Sequence, residues 1–347
     1  MSIHNETKEI QRKLDEVNKS TVLVALFGQP GAGKSSLINK IVGQKVAKVG
    51  VETDKTVELT WYEANGLKFA DLPGYGTKRF PKDSYFKQFD MMQFDLFLCV
   101  TSGKFHQADT EFFQELKQRG KVCIFVANKH DELWEYDASI DKLEQRKLND
   151  IVKQVGQSVK VIFTSCKDNT GLGELIEEIS NNLEAAKRER WVRGAKAYSK
   201  QFLQEKRTSC EKYVALAAAA SALNGINPIL GADIAVDISV LLKLFKEIRD
   251  NYGLTETFLD DLKSSSIPAV GFLANNVVKY AVKEGVVVLL KRFIAQETVK
   301  SVTKYIPFVG QAIAASIGYA ITSNAGNSYL NDCHELAEQV FKNNLGV

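Results

Sequence analysis

The chain has few cysteines and almost no excess of charge. Its five cysteines form no C-x-x-C pair, and Cys99 and Cys123 lie inside apolar runs. We therefore expect reduced thiols and a cytosolic compartment rather than a disulfide scaffold. The 45 basic and 42 acidic residues leave a formal charge of +3, which is too small to predict a DNA- or RNA-binding surface.

The sequence also lacks the usual membrane signals. Residues 1–6 contain no apolar core, Ser2 replaces the glycine that N-myristoylation needs, and the last four residues form no prenylation box. The apolar segment 306–322 is shorter than a bilayer span requires and contains Pro307 and Gln311. We expect this segment to pack within a folded domain, with peripheral membrane contact as the alternative.

Short apolar runs alternate with helical patterns over the first half of the chain. The Asn65–Gly66 dipeptide predicts a tight turn between two of the resulting strands. This alternation predicts an α/β fold with a mostly parallel sheet, helices on both faces and ligands at the carboxyl ends of the strands. The predicted strands are residues 21–27, 57–62, 67–70, 96–101, 122–127 and 159–164.

The alternation ends at a charged stretch, Lys187–Arg190. The apolar segments that follow are rich in Ala, Leu and Val and are separated by Gly225–Pro228, Gly253 and Ser264–Pro268, so they predict helices joined by turns. We therefore predict an N-terminal helix in residues 1–20, an α/β domain over residues 21–186 and an all-helical domain over residues 187–347.

Residues 28–35 match the P-loop pattern G-x-x-x-x-G-K-[ST] between a predicted strand and a predicted helix. In this pattern backbone N–H groups hold phosphates, the lysine neutralises their charge and the serine hydroxyl ligates Mg²⁺. Lys34 is therefore a candidate for catalysis and Ser35 for the metal. The predicted phosphate-binding residues are Gly31, Ala32, Gly33, Lys34, Ser35 and Ser36.

Asn128-Lys-His-Asp131 follows another apolar run and predicts guanine as the base. The Asp131 carboxylate can accept hydrogen bonds from guanine N1–H and the 2-amino group, a pair of donors that adenine lacks. We expect Asn128 to tie this segment to the P-loop and the Lys129 stem to cover one face of the base. Backbone N–H groups of the Ser165, Cys166 and Lys167 loop are expected to contact guanine as well. GTP and GDP are thus the predicted ligands.

Asp71-Leu-Pro-Gly74 matches the D-x-x-G motif, in which the carboxylate binds Mg²⁺ through water and the glycine N–H senses the γ-phosphate. We therefore predict Asp71 as a metal residue and Gly74 as a catalytic one. Residues 49–56 occupy the position of the first switch, where Thr53 and Thr56 are both candidates to cover Mg²⁺ and we favour Thr53. Ras-type enzymes carry a water-orienting glutamine just after D-x-x-G, whereas this chain has Tyr75, so we expect slow intrinsic hydrolysis.

A set of segments in both halves of the chain carries a family resemblance. The segments are residues 50–53, 71–77, 80–81, 85–86, 94–97, 227–237, 252–254 and 306–311. Together they resemble the immunity-related GTPases, a branch of the dynamin superfamily. The resemblance implies a Ras-like G domain and a helical domain that includes the N-terminal helix. It also implies nucleotide-dependent dimers or larger assemblies through G-domain faces, often at a membrane, with Glu52 acting in catalysis across that interface.

Other interpretations remain beside this one. Pro30 and Gly31 stand where dynamin has Gln and Ser, so dynamin's own catalytic arrangement is not carried over, and Glu52 has the alternative of a solvated loop carboxylate. No immune role is implied. A scaffold that binds GTP without useful hydrolysis would keep the same motifs. An Era-type RNA-associated GTPase would keep them too, but the C-terminal part shows neither a G-x-x-G loop in a mixed αβ pattern nor a basic patch.

Overall fold

The computed structural model describes Arg12 and residues 19–47, 59–224, 238–300 and 307–343. The chain divides into two compact units; the first covers residues 18–199, and the described helices from Lys200 onward belong to the second. Most of the predicted N-terminal helix and the segments 225–237 and 301–306 lie outside the described residues. The packing of residues 1–20 with the helical domain therefore stays a prediction.

The first unit contains a six-stranded sheet with the order β2-β3-β1-β4-β5-β6. β2 runs antiparallel to β3, and every other neighbouring pair is parallel. This arrangement confirms the predicted α/β fold with a mostly parallel sheet. The strands are β1 (Val22–Phe27), β2 (Thr60–Ala64), β3 (Leu67–Asp71), β4 (Leu96–Thr101), β5 (Val122–Asn128) and β6 (Val161–Thr164).

The turn between β2 and β3 shows why the sequence forms a hairpin there. Asn65 and Gly66 both have positive φ, 54° and 75°, which is the backbone geometry that suits a two-residue hairpin turn. β2 ends at Ala64 rather than at the predicted residue 62, because the backbone of residues 63 and 64 continues to pair with β3 up to the turn. Residues 57 and 58 of the predicted strand lie outside the described residues. β6 begins at Val161 rather than at residue 159, so the apolar run there extends beyond the paired backbone.

Helices of the first unit separate most of the strands along the chain. In the last of these helices Trp191 is buried, and its indole N–H donates to the Ile176 carbonyl at 3.1 Å. The Lys196 N–H donates to the Ile41 carbonyl at 2.8 Å, so contacts with this unit continue beyond the boundary at residue 186 that the charge pattern suggested. The helices are α1 (Lys34–Val42), α2 (Lys82–Gln88), α3 (Gln107–Gln118), α4 (Ile140–Val155), α5 (Leu172–Asn181) and α6 (Ala185–Gly194).

The charged stretch that suggested this boundary lies within α6 and is anchored to the first unit. Lys187 forms an ion pair with Asp95, and Arg188 Nε donates to the Ser180 carbonyl at 2.9 Å. These side chains therefore hold α6 against the rest of the first unit. In many sequences a run of charged residues is instead a solvated linker.

In its described part, the second unit is helical. Its core includes Phe245 and Tyr329, whose rings stack with centroids 4.0 Å apart. A Cβ added to Gly326 would lie 2.8 Å from Val214 Cγ1, so a small residue is needed where two long helices approach each other. The helices are α7 (Lys200–Asn224), α8 (Ile238–Tyr252), α9 (Glu256–Lys263), α10 (Pro268–Tyr280), α11 (Lys283–Lys300) and α12 (Pro307–Lys342).

Within the described ranges, no helix combines the length and the apolar content that crossing a bilayer requires.

Candidate functional site

Four strands bring the sequence motifs to one edge of the sheet. β1 and β3 are parallel with Leu26 paired to Asp71, and β5 and β6 are parallel with Asn128 paired to Thr164. Since the carboxyl ends of parallel strands face the same way, the P-loop, D-x-x-G, Asn-Lys-x-Asp and Ser-Cys-Lys segments all leave the sheet at this edge.

The P-loop, residues 28–33, needs glycine for two kinds of reason. Gly28 has φ 129° and a Cβ there would lie 2.0 Å from the Val100 carbonyl oxygen, while a Cβ on Gly33, at φ 88°, would lie 2.3 Å from Asn128 Nδ2. Both positions exclude a side chain by contact as well as by backbone conformation. A Cβ on Gly31, also at positive φ, would instead meet nothing within 4 Å in the part of the chain that the structure describes.

The amino end of α1 follows this loop directly and suits an anion. Its first turn begins with Lys34, Ser35 and Ser36. The N–H groups of a first helical turn have no partner within the helix and carry partial positive charge. Together with the loop they form the kind of cradle in which phosphate groups bind.

Lys34 links the P-loop to the D-x-x-G motif. Its Nζ donates to the carbonyls of Gly28 at 2.9 Å and Gln29 at 3.3 Å, and it lies 3.7 Å from Asp71 Oδ1. Both side chains of this ion pair are largely buried. The ammonium group thus has oxygen partners on the loop that phosphate oxygens could replace.

The candidate metal residues Ser35 and Asp71 share a neighbour, Tyr62. Burial is the main cause that raises the pKa of Tyr62, the Asp71 charge raises it further, and a hydrogen bond with Ser35 opposes the shift. A serine hydroxyl and a carboxylate are hard oxygen ligands that fit Mg²⁺, which usually takes its other ligands from substrate phosphates and water. No sequence motif includes Tyr62, so its place beside these residues was not predicted.

Asn128 is the central polar residue of the site. It is 2% exposed, its Nδ2 donates to the Ala32 carbonyl at 2.9 Å, and its Oδ1 accepts from Thr164 Oγ1 at 3.1 Å. The predicted tie between this segment and the P-loop is therefore present. The same side chain also reaches the end of β6, so one amide connects three of the motifs.

Asp131 is held by a buried hydroxyl. Lys129 adopts a left-handed backbone conformation with φ 63°, and Ser165 Oγ donates to Asp131 Oδ1 at 2.7 Å. Ser165 is 0% exposed, and its oxygen accepts from the Lys167 N–H at 3.2 Å. The sequence predicted backbone contacts from Ser165 but not this use of its hydroxyl, which requires the two loops to be adjacent.

The remaining predicted base-binding residues of this region are Lys129, Cys166 and Lys167. Lys167 is exposed and its Nζ lies 4.0 Å from Asp131 Oδ2, while Lys129 pairs with Glu132 at 3.3 Å. Burial raises the pKa of the Cys166 thiol to about 11, so this side chain is a neutral packing group at neutral pH.

Tyr75 follows Gly74 and packs among aromatic rings. We call the residues Phe27, Tyr75, Tyr85, Phe86 and Phe112 the aromatic cluster. The Tyr75 ring centroid lies 4.9 Å from that of Phe112 and 5.2 Å from that of Tyr85. Tyr85 is buried and its hydroxyl donates to the Pro73 carbonyl at 2.7 Å. The cluster thus fixes the segment on both sides of the exposed Gly74.

The first-switch candidates Glu52, Thr53 and Thr56 lie outside the described residues.

Comparison with known proteins identifies relatives of this chain. The family model described as Interferon-inducible GTPase (IIGP) matches residues 2–279. Interferon-inducible GTPase 1 of Mus musculus is 26% identical over 274 residues, which are 73% of this chain and 66% of that protein. Interferon-inducible GTPase 5 of Bos taurus is 24% identical over 91% of this chain and 74% of that protein.

A bacterial relative matches a shorter stretch of the chain. The probable GTP-binding protein EngB of Mycoplasma genitalium is 30% identical over 152 residues, which are 41% of this chain and 74% of that protein. The chain spans 66% of the length of the mouse relative. Since the family model covers most of the sequence, the chain belongs to the interferon-inducible GTPase family.

Proposed function

We propose that this chain binds GTP and GDP with Mg²⁺ at the carboxyl edge of its sheet and hydrolyses GTP. The observation that carries the proposal is the double hydrogen bond of buried Asn128, which fixes the P-loop relative to the base-binding segment. Because one amide holds the phosphate-binding loop and the base-binding segment together, the site suits a ligand that contains both phosphate groups and a base.

Each residue has a defined task in this proposal. Backbone N–H groups of residues 31–36 bind the phosphates, and Lys34 exchanges its bonds with the Gly28 and Gln29 carbonyls for phosphate oxygens. Ser35, Asp71 and Thr53 would hold Mg²⁺, which would neutralise charge on the phosphates. The free oxygen of Asp131 accepts from guanine, while Lys129, Ser165, Cys166 and Lys167 line the base.

Hydrolysis is proposed to depend on a second molecule. Tyr75 occupies the position of the usual water-orienting glutamine, and its ring is packed into the aromatic cluster. Catalysis therefore needs groups from elsewhere, and we assign this role to nucleotide-dependent pairing of G domains with Glu52 at the shared face. Gly74 N–H senses the γ-phosphate. Peripheral membrane contact is a further part of the proposal, which flotation with liposomes in each nucleotide state tests.

Turnover per molecule should rise with protein concentration if G domains activate one another. The measurement uses saturating GTP and Mg²⁺ over a wide range of protein concentration, with Lys34→Ala as the control for contaminating activity. A slow rate that does not change with concentration contradicts activation by pairing. A rate equal to that of the control contradicts hydrolysis and favours a GTP-binding scaffold.

A further inference from the structure

The helix α3 contacts two parts of the site that are distant in sequence. Near its amino end, Asp109 Oδ2 accepts a hydrogen bond of 2.8 Å from Gln29 Nε2 of the P-loop. Less than one turn later, Phe112 is buried with its ring centroid 4.8 Å from Phe27, the last residue before the P-loop, and 4.9 Å from Tyr75. One helix therefore touches the P-loop, the strand before it and the segment after D-x-x-G.

The Asp109 carboxylate is half-buried next to the phosphate-binding loop. Burial is the main cause that raises its pKa, and the Gln29 hydrogen bond, His106 and Lys34 act in the opposite direction. Its position on the helix is fixed, because its own N–H donates to the His106 carbonyl at 3.0 Å. A carboxylate is an unexpected neighbour for a loop that binds polyanions, and the hydrogen bond to Gln29 gives it a specific partner.

The Gln29 residue is in turn connected to the phosphate-binding lysine. Its backbone carbonyl accepts from Lys34 Nζ at 3.3 Å, while its side-chain amide donates to Asp109. A movement of Lys34 towards a phosphate weakens its hydrogen bond to the Gln29 carbonyl. On the α3 side, the hydrogen bond to Asp109 restrains the Gln29 side chain. The contacts thus form a continuous path from Lys34 to α3.

We propose that Asp109 is a positioning residue for the P-loop. Through its hydrogen bond with Gln29 it fixes the loop conformation, and through α3 and Phe112 it couples the nucleotide state of the loop to the Tyr75 segment. The inference rests on the proposed guanine-nucleotide site and adds to it the device that connects phosphate binding with the region after D-x-x-G.

The first measurement is release of a fluorescent GDP analogue. Asp109→Ala and Gln29→Ala should each speed release about tenfold, since a hydrogen bond to a charged group is worth at least that factor in an equilibrium constant. The double variant should be no faster than either single one, because the two residues act as a pair. Asp109→Asn keeps an acceptor oxygen but loses the charge, so its release rate should lie between that of the wild type and that of Asp109→Ala.

The matched control is Gln107→Ala, which removes an amide from the same end of α3. Gln107 Nε2 donates to Glu111 Oε1 at 3.0 Å within the helix, so its loss should leave release unchanged. Wild-type release rates in both Asp109→Ala and Gln29→Ala overturn the proposal. So does an Asp109→Asn rate equal to that of Asp109→Ala, since the negative charge rather than the hydrogen bond would then be the cause.

The second measurement follows the Tyr75 segment by tryptic cleavage at the exposed residues Lys78 and Arg79. In the wild type, cleavage should differ between GDP and a non-hydrolysable GTP analogue, and in Gln29→Ala this difference should shrink although both nucleotides still bind. An unchanged difference in Gln29→Ala overturns the coupling. A wild-type protein that retains neither nucleotide overturns the proposed function and this inference together, whereas normal binding with unaltered variants overturns the inference alone.

Discussion

Asp131 illustrates how a buried hydroxyl sets the direction of a carboxylate at the site. Ser165 Oγ donates to Oδ1, which leaves Oδ2 as the oxygen available to a base. The side chain is only 18% exposed, so its orientation is restricted before any nucleotide binds. This arrangement gives the proposed guanine preference a structural cause beyond the identity of the residue.

Asp131→Asn should change the base preference from guanine to xanthine. Asn can still accept from Ser165 through its oxygen, so the amide nitrogen takes the place of Oδ2 and presents a donor to the base. GTP affinity should fall about 100-fold, in line with the loss of hydrogen bonds to a charged group, and xanthosine triphosphate should gain affinity. Competition against a fluorescent GDP analogue measures both.

A neighbouring carboxylate gives the control for this exchange. Glu132→Gln removes the same charge from the same segment, but Glu132 pairs with Lys129 at 3.3 Å and is largely exposed. Its GTP affinity should stay close to that of the wild type. Unchanged GTP affinity in Asp131→Asn would refute the base assignment.

Individual site residues differ in how well the sequence predicts them. The contact of Asn128 with the P-loop was predictable, because both residues belong to motifs whose strands end at one edge. The hydrogen bond between Gln29 and Asp109 was not, since Asp109 lies in an ordinary helical pattern and reaches the loop only through the packing of α3. Tyr75 was recognised as a replacement for glutamine, but its aromatic partners come from α2 and α3 and share no local pattern.

At the scale of an element, the loop between β6 and α5 depends on Gly171. This residue has φ 68°, and a Cβ there would lie 1.8 Å from the Phe163 carbonyl oxygen. The Ser165 N–H donates to the Thr170 carbonyl at 3.0 Å, so the loop closes tightly just before Gly171. The predicted base contacts of residues 165–167 therefore rest on a backbone approach that only glycine permits.

Gly171→Ala should destabilise the protein and weaken nucleotide binding. Gly156 caps α4 at φ 76°, and a Cβ there would meet nothing within 4 Å among the residues that the structure describes. Gly156→Ala therefore isolates the cost of the backbone conformation, about 1 kcal/mol. Gly171→Ala should lose about 2 kcal/mol more in urea unfolding, because the backbone must also move away from the Phe163 carbonyl. Equal losses in the two variants would contradict the contact.

Elements with a complete apolar pattern were the easiest to predict. All residues of β4 are buried, and its observed bounds match the predicted ones. β2 is an edge strand whose residues alternate between partly buried and exposed, so its apolar pattern gave a range that ends before Ala64. In the second unit, Gly253 and Ser264–Pro268 correctly marked the ends of helices α8 and α9. The predicted boundary at residue 186 rested on the charge of residues 187–190. The buried contacts that the chain makes with the first unit beyond this point cannot be read from composition.

At the scale of the whole molecule, the second unit contains a carboxyl group whose pKa differs from that of a free side chain. In the second unit, burial and the Glu335 charge raise the pKa of Asp332 to about 6, while Arg292 opposes the shift. Because the folded-state pKa is raised, the protonated carboxyl contributes stability that is fully present below the ordinary pKa of 3.8 and is lost as pH rises through about 6. At neutral pH the ionised group therefore disfavours the folded state.

Asp332→Asn should be more stable than the wild type at pH 7.5, and the difference should vanish towards pH 4. Denaturant unfolding at a series of pH values, taken as the difference between the two proteins, removes the contribution of other titrating groups. Asp260→Asn is the control, since Asp260 is exposed and pairs with Lys263 at 2.8 Å, and it should show no gain at pH 7.5. A stability difference that does not depend on pH would contradict the assignment to Asp332.

The free cysteines lie in both compact units of the molecule: Cys99, Cys123 and Cys166 in the first, Cys210 and Cys333 in the second. Burial raises the pKa of Cys99 and Cys333 well above that of an ordinary thiol, so little reactive thiolate exists in the folded protein at neutral pH. An alkylating reagent then modifies these two side chains chiefly when the surrounding unit opens. Mass spectrometry of the labelled peptides would therefore time the opening of each unit separately in the native sequence, without an introduced probe.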